Sequence, residues 1–554
     1  MSDEERESAL GVLGDGLLAL SDPELGGGYD RLPESVRRAA EGPFLETSGD
    51  APIYHMSTYQ EDARALSALL GHTADELQGG YTLSTNLTMS AGSYNYFWGE
   101  GENGWLTSEE LAPLVDVGTR NEDANYFILT GEQPETAADV DLDYPDSFRE
   151  QTVQGLLTYE WHDQGETARQ FTDWLAEDLH SGDREEAIRA GDGFAGLMEL
   201  VTDPDMYESL TNTGVDVTEG DNDYSDASFT QFNGGIADSL ADIFDAHIYS
   251  FANGDVYGAG DEPVEGIGSY DHDTGRIQMG PQERAMYMQY ILGNDESAGR
   301  VVNSVDIYQQ IESVAYLESG DAASSARGAG QLQALLEEGL RMESQDRTDD
   351  LGDQVERETQ IAEFVVGEAG GLAEKIPVIG AAVSKGMELG QDSIVQAIVD
   401  GDYEITPRFP TYTSDEHMER TFNLEVLDFV NLSDPGALNV TDHDDIQTLV
   451  EGGALTIERD GVPVSSDDID DDFFFDDSVT VNLNKNPEEW SSNAMSDLDN
   501  MDGALRGVLK NVEITADDET ASGFDYSGQF VEDYTSAYDT TRDFFGNQSA
   551  EEDE

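Results

Sequence analysis

The chain has no cysteine, and only four of its 554 residues are lysines, at positions 375, 385, 485 and 510. The absence of thiols excludes disulfides, thiolate metal sites and a cysteine nucleophile. Basic residues are scarce altogether: 26 Lys and Arg stand against 119 Asp and Glu, a formal net charge of −93. Nucleic acid and anionic membrane surfaces both need a basic footprint, so neither is expected as a partner. No stretch approaches the ~18 apolar residues of a membrane-spanning helix. The longest charge-free part of the most apolar region runs only from Ile376 to Ser384. The opening Met–Ser–Asp–Glu–Glu–Arg–Glu has no apolar signal-peptide core, so the expectation is a cytoplasmic protein or one exported without a Sec-type signal. There is no Gly–x–Ser–x–Gly elbow, no phosphate loop, no dinucleotide fingerprint and no His–Glu–x–x–His pair. No catalytic residue can be assigned and no cofactor is expected.

What is present is acid together with enough apolar side chain to form cores. Hydrophobic residues make up 38% of the chain, with 21 Phe, 23 Tyr and 5 Trp, so the sequence is not disordered throughout. A charge of −93 opposes compaction in dilute salt. In molar salt the Debye length falls to about 3 Å and the repulsion is largely screened. Acid spread along the whole length, with arginine in place of lysine, is the surface expected of a halophilic protein that carries counter-cations.

Local patterning is mainly helical. Leu10, Leu13, Leu17 and Leu18 place a helix over 3–20, and Pro33 opens a short one to Ala40. Tyr59–Leu70 is amphipathic, whereas Tyr81–Phe97, rich in Thr, Asn and Tyr, is ambiguous. Thr107 and Glu110 form a capping-box pattern, repeated at Asp163/Glu166 and Asp183/Glu186. Ser147–Tyr159 and Phe229–Phe251 read as helices, with a soft linker over Val215–Tyr224. Asp271–Met279 suggests a hairpin, followed by helices at 281–292, 297–317 and 321–344. The stretch 354–400 reads as a buried helical hairpin broken at Pro377, with Ile379, Val383, Met387, Ile394 and Ile398 on one face. Beyond it, the Asp–Gly of Leu455–Val464 marks a β-hairpin, Val479–Leu483 a strand, and Trp490–Val512 and Phe530–Phe545 helices. The three adjacent Phe from 473 to 475 are expected to anchor on the body. No 34-residue self-similarity is visible. The expected fold is mainly α: an irregular multi-helix bundle with a central buried helical hairpin and small β-hairpin elements in the C-terminal part. Its expected divisions are an N-terminal helical region 1–130, a main helical body 131–400, an α+β region 401–548 and a disordered acidic tail 549–554.

Asp139, Asp141, Asp143 and Glu150 stand at positions 1, 3, 5 and 12 of an EF-hand-like loop, a spacing of oxygen ligands suited to Ca²⁺. Position 6, which takes Gly for the sharp turn, is Tyr144, so these four are weak calcium candidates. Asp271–His–Asp273 and Asp442–His–Asp–Asp445 set carboxylates beside imidazoles, but sequence neighbours seldom converge on one ion, and solvated turns are expected. The Tyr–x–x–x–Asp/Glu pattern of type VII secretion substrates occurs at Tyr159–Asp163, Tyr257–Asp261, Tyr308–Glu312 and Tyr412–Glu416. In so acidic a chain that number arises by chance.

Several pieces in order carry a family resemblance. They are Leu17–Arg37 with its Ser–Asp–Pro–Glu–Leu–Gly–Gly–Gly turn, Trp161–His–Asp–Gln–Gly with Trp174, Thr274–Gly–Arg–Ile–Gln–Met, Gly330–Gln–Leu–Gln and Lys375–Ile–Pro–Val–Ile–Gly. Together, over about residues 10–400, they resemble actinobacterial tetratricopeptide-repeat-region proteins associated with WXG-type (type VII) secretion. The resemblance implies a secretion-associated helical protein, a body that carries or accompanies toxins. Together with the absence of catalytic motifs, it leads to the expectation of a non-catalytic helical scaffold or accessory protein acting through protein partners. Two other functions remain open: an effector, toxin or hydrolase with its site in 401–554, and an extracellular calcium-binding surface protein.

Overall fold

The computed structural model describes residues 2–43, 53–99, 106–134, 142, 144–219, 222–224, 226–258, 262–319, 322–347, 415–433, 435–469, 473–475, 478–484, 491, 498–516 and 519–552. The chain is mainly α-helical with small antiparallel strand pairs, as its patterning leads one to expect. The hairpin expected at 354–400 lies outside the described residues, as do Asp139, Asp141 and Asp143. The described residues fall into two compact units. The first draws on Met1–Ser250, Tyr257–Val301 and Gly339–Ile361, the second on Phe251–Val256, Val302–Glu338 and Ala362–Glu554.

In the first unit, α1 (Asp3–Ser21), α2 (Glu34–Glu41) and α3 (Ile53–Leu70) lead to α4 (Tyr81–Trp98), then α5 (Ser108–Thr119), α6 (Glu122–Thr130) and α7 (Asp146–Leu157). Helix α4 is the centre: it packs against α2, α5, α6 and α7, and Leu83 to Asn95 are buried without a break. Burial on every side removes the amphipathic stripe that periodicity reading relies on, which is why Thr- and Asn-rich Tyr81–Phe97 was ambiguous as sequence. Small residues let its backbone approach its neighbours. A Cβ on Gly118 of α5 would strike Thr88, and one on Gly155 of α7 would strike the Gly92 carbonyl. At this second crossing the Ser93 and Thr152 hydroxyls are hydrogen-bonded at 3.2 Å.

The Thr107/Glu110 capping box forms as read, with Glu110 N donating to Thr107 Oγ1 and Thr107 N to Glu110 Oε2. The Asp163/Glu166 box does not. Gln164 (φ 58°) and Gly165 (φ 85°) turn left-handed, and two short helices follow, α8 (Glu166–Arg169) and α9 (Trp174–Glu177). The Asp163 carboxylate accepts instead from Gly165 N and Thr167 N. Helices α10 (Arg184–Val201) and α11 (Pro204–Thr211) come next, and Asp183 caps α10 through Glu185 N rather than in a reciprocal box. The expected linker contains a hairpin, β1 (Val217–Glu219) with β2 (Asn222–Tyr224). Phe229–Ala252 is divided into α12 (Phe229–Phe232), α13 (Gly234–Ala246) and α14 (Ile248–Ala252). The hairpin expected at Asp271–Met279 is β3 (Ile267–Asp271) with β4 (Arg276–Met279), leading to α15 (Pro281–Ile291). Helices α16 (Asp295–Ser319) and α17 (Ala322–Arg347) divide between the units, after Val301 and after Glu338.

The second unit adds α18 (Asp415–Ser433), α19 (His443–Gly452), α20 (Leu498–Asn511) and α21 (Gly523–Glu552). Asp442, expected in a solvated turn, caps α19 by accepting from Asp444 N. A three-stranded sheet in the order β6 (Val462–Pro463), β5 (Leu455–Arg459), β7 (Val479–Leu483) turns through Asp460 and Gly461, both at positive φ (53° and 73°). That geometry suits the Asp–Gly pair. Leu455, Ile457, Val479 and Val481 face the core, alternating with exposed Thr456 and Thr480. Phe473 and Phe475 are buried in the same core and Phe474 is exposed. Within it, Arg420 and Asp502 form a buried two-pronged ion pair at 2.6 and 2.7 Å. The hairpin of β8 (Glu513–Ala516) and β9 (Glu519–Ser522) had no distinct sequence signal.

Candidate functional site

The close crossing of α4 and α7 brings the C-terminal ends of the two helices together. A Cβ on Gly155 would also come within 2.7 Å of the Tyr96 amide nitrogen, so a larger residue there would part the helices. Beside this crossing lies a cavity of about 600 Å³ within the first unit. Asn95 and Tyr96 come to it from α4, Gln154 and Thr158 from α7 and its C-cap, Glu160 from the following loop, and Asp216 from the approach to β1.

Each wall is held by hydrogen bonds. The buried Asn233 amide donates to the carbonyls of Leu157 (3.0 Å) and Tyr159 (2.9 Å), and its oxygen accepts from Trp161 N (3.3 Å). Three bonds from one side chain fix the loop that carries Glu160. Thr158 Oγ1 donates back to Gln154 O at 2.8 Å. On the third wall Thr213 Oγ1 donates to Ala227 O at 2.6 Å, and Ala227 N donates to Val215 O at 2.9 Å. Asn95 is different: the residue is 5% exposed, and neither Oδ1 nor Nδ2 has a hydrogen-bond partner among the described residues. A buried amide left unpaired costs about 1–3 kcal/mol. Glu160 and Asp216 are exposed at the rim, and among the described residues no Lys, Arg or His contributes to the lining.

The scarce arginines serve elsewhere as cross-links. Arg189 joins Glu122, Asp123 (3.2 Å) and Asp178 (2.7 Å), and Arg300 reaches Asp242 (2.7 Å) and Asp245 (3.3 Å). Burial, more than the adjacent acids, raises the carboxyls of Glu122 and Asp173 above their ordinary range. Each of the two is paired with an arginine, which suits an internal tie rather than a general acid. His247, stacked on Phe194 at 4.2 Å, is pushed down to about 3 by burial and is neutral at ordinary pH.

Of the calcium candidates only Glu150 is described, exposed on α7. Among the described residues no group of three or more His, Asp or Glu could hold a metal ion, and no helix is long and apolar enough to cross a membrane. Asp271 forms a local turn, accepting from Asp273 N and Thr274 N, while His272 reaches Asp192 at 3.3 Å. In the Tyr159–Asp163 pattern, Tyr159 packs edge-on against Trp161 and Asp163 caps Thr167. Reading the sequence missed Asn95 and Gln154 as site residues. Neither belongs to a motif, and only folding makes them neighbours.

Residues 1–174 match the family model of a TPR repeat domain. This supports a tetratricopeptide-type region in the N-terminal part, despite the absence of a 34-residue period. Helices of 19, 8, 18, 18, 12, 9 and 12 residues from α1 to α7 account for that absence. No curated protein and no solved structure matches the chain.

Proposed function

We propose that this chain is a non-catalytic helical scaffold, adapted to concentrated salt, that acts through protein partners in secretion or toxin delivery. The observation that carries the proposal is the TPR repeat domain match over residues 1–174. Stacked helical repeats present extended surfaces, and their use is recognition rather than bond chemistry. Two features of the same region agree with that use. Helix α4, buried from Leu83 to Asn95, acts as a spine, and Val12 and Leu13 on α1 are 69% and 62% exposed. The net charge of −93 supports the salt adaptation, and the ordered family-like segments support the link to secretion.

The test is co-purification of the tagged full chain from its own cells and growth medium, in molar KCl throughout. The scaffold reading expects a defined set of partner proteins, including secreted ones. Recovery of the chain alone, and only from the cytosol, would contradict it.

A further inference from the structure

The α4–α7 cavity has the makings of a binding site for a small molecule, and its chemistry is selective. We infer that it binds a neutral polyhydroxylated ligand, a sugar or sugar-like polyol, through the Asn95 amide and the Tyr96 ring. This goes beyond the scaffold reading and does not depend on it.

Four observations lead there. The volume, about 600 Å³, falls within the ~300–1,000 Å³ of small-molecule sites. The polar floor is neutral. Asn95 and Gln154 offer amides and Thr158 a hydroxyl, while the carboxylates of Glu160 and Asp216 lie out at the exposed rim. An anion would meet those carboxylates with no basic side chain to hold it. A lipid or other apolar ligand would leave the floor amides unpaired. Second, Asn95 lines the cavity, and its amide, a donor and an acceptor side by side, is buried and has no partner among the described residues. Adjacent hydroxyls on a sugar ring supply the complementary pair, and the rim carboxylates can accept from the remaining hydroxyls. Third, Tyr96 lines the cavity and is 41% exposed, an aromatic ring suited to the C–H face of a sugar.

Fourth, the walls are set before binding. Gly92 and Gly155 fix the separation of α4 and α7, and Asn233 and Thr213 tie the other two segments, so little ordering is left for the ligand to cause. The choice of neutral contacts also fits the charge of the chain. In molar salt, with a Debye length of about 3 Å, recognition by charge is heavily screened and hydrogen bonding between neutral groups is not.

The experiment is calorimetric titration of the full chain in molar KCl with glucose, trehalose and N-acetylglucosamine, and with glycine betaine and an uncharged tetrapeptide as contrasts. Three proteins are compared: the natural chain, Asn95→Leu and Tyr96→Ala. The inference expects at least one sugar to bind and each substitution to weaken it about tenfold or more, equivalent to about 1.4 kcal/mol. Tyr96 is exposed, so its variant remains folded even if Asn95→Leu does not. Equal circular dichroism melts identify which variants are comparable. Absence of binding to all three sugars would overturn the inference, as would sugar binding unchanged by Tyr96→Ala or tighter binding of the betaine or the peptide.

Discussion

Acidification should weaken the first unit through one residue, His247. The residue is 2% exposed, its ring lies on Phe194 at a centroid distance of 4.2 Å and an angle of 27°, and neither nitrogen has a hydrogen-bond partner among the described residues. Burial pushes its protonation down from 6.5 to about 3. Between those values the unfolded chain holds a proton that the folded chain refuses, so stability falls as pH drops through the window. Each pH unit costs about 1.4 kcal/mol, and a change from about 6.5 to about 4.5 costs roughly 3 kcal/mol. The perturbation that isolates this effect is His247→Phe, which retains the stack and removes the titration. Urea unfolding in molar KCl, followed through the buried Trp161 and Trp174 of the same unit, should give two results. At about pH 7.5 the variant should equal or exceed the natural protein, because two unpaired nitrogens are gone. As pH falls below 6.5 the variant's advantage should widen by about 1.4 kcal/mol per unit. The carboxyls of Glu122, Asp173, Glu177 and Asp192, raised mainly by burial, titrate in both proteins and cancel in the difference. A difference that stays constant across this range would refute the reasoning.

Further substitutions test the packing and one helix. Arg420→Met leaves Asp502 buried without its ion-pair partner and should cost the second unit about 3–5 kcal/mol by urea unfolding in molar KCl, whereas adding Asp502→Leu should recover most of that loss. Gly155→Ala forces a Cβ against the Gly92 carbonyl and should cost about 1–3 kcal/mol, measured as a lowered melting temperature. Gly16→Ala, where a Cβ meets nothing, should stabilise α1 by up to about 1 kcal/mol in the same assay.

Elements governed by local chemistry were legible in the sequence. The Thr107/Glu110 box, the Asp460–Gly461 turn and the Thr274–Gly275 turn of the β3–β4 hairpin each depend on residues a few positions apart. Elements governed by packing were not. Helix α4 has no polar face to contrast with an apolar one, so its composition suggested nothing, although it forms the centre of the first unit. Asp163 and Glu166 had the spacing of a box, but the left-handed backbone at Gln164 and Gly165 kept them from forming one. The cavity was hidden for a third reason. Asn95, Gln154 and Asp216 lie some 60 residues apart in turn, and only the glycine crossing of α4 with α7 and the ties of Asn233 and Thr213 bring them together. Conversely, the apolar stretch 354–400, prominent in the sequence, lies outside the described residues.

The central claim is recognition of proteins by the repeat-like N-terminal region. The measurement that tests it most directly is chemical cross-linking of the full chain in its own cells at their native salt, with the cross-linked positions mapped by mass spectrometry. The account predicts links from residues 1–174 to a small, recurring set of other proteins. Links confined to residues 415–552, or a chain linked to no other protein, would contradict it.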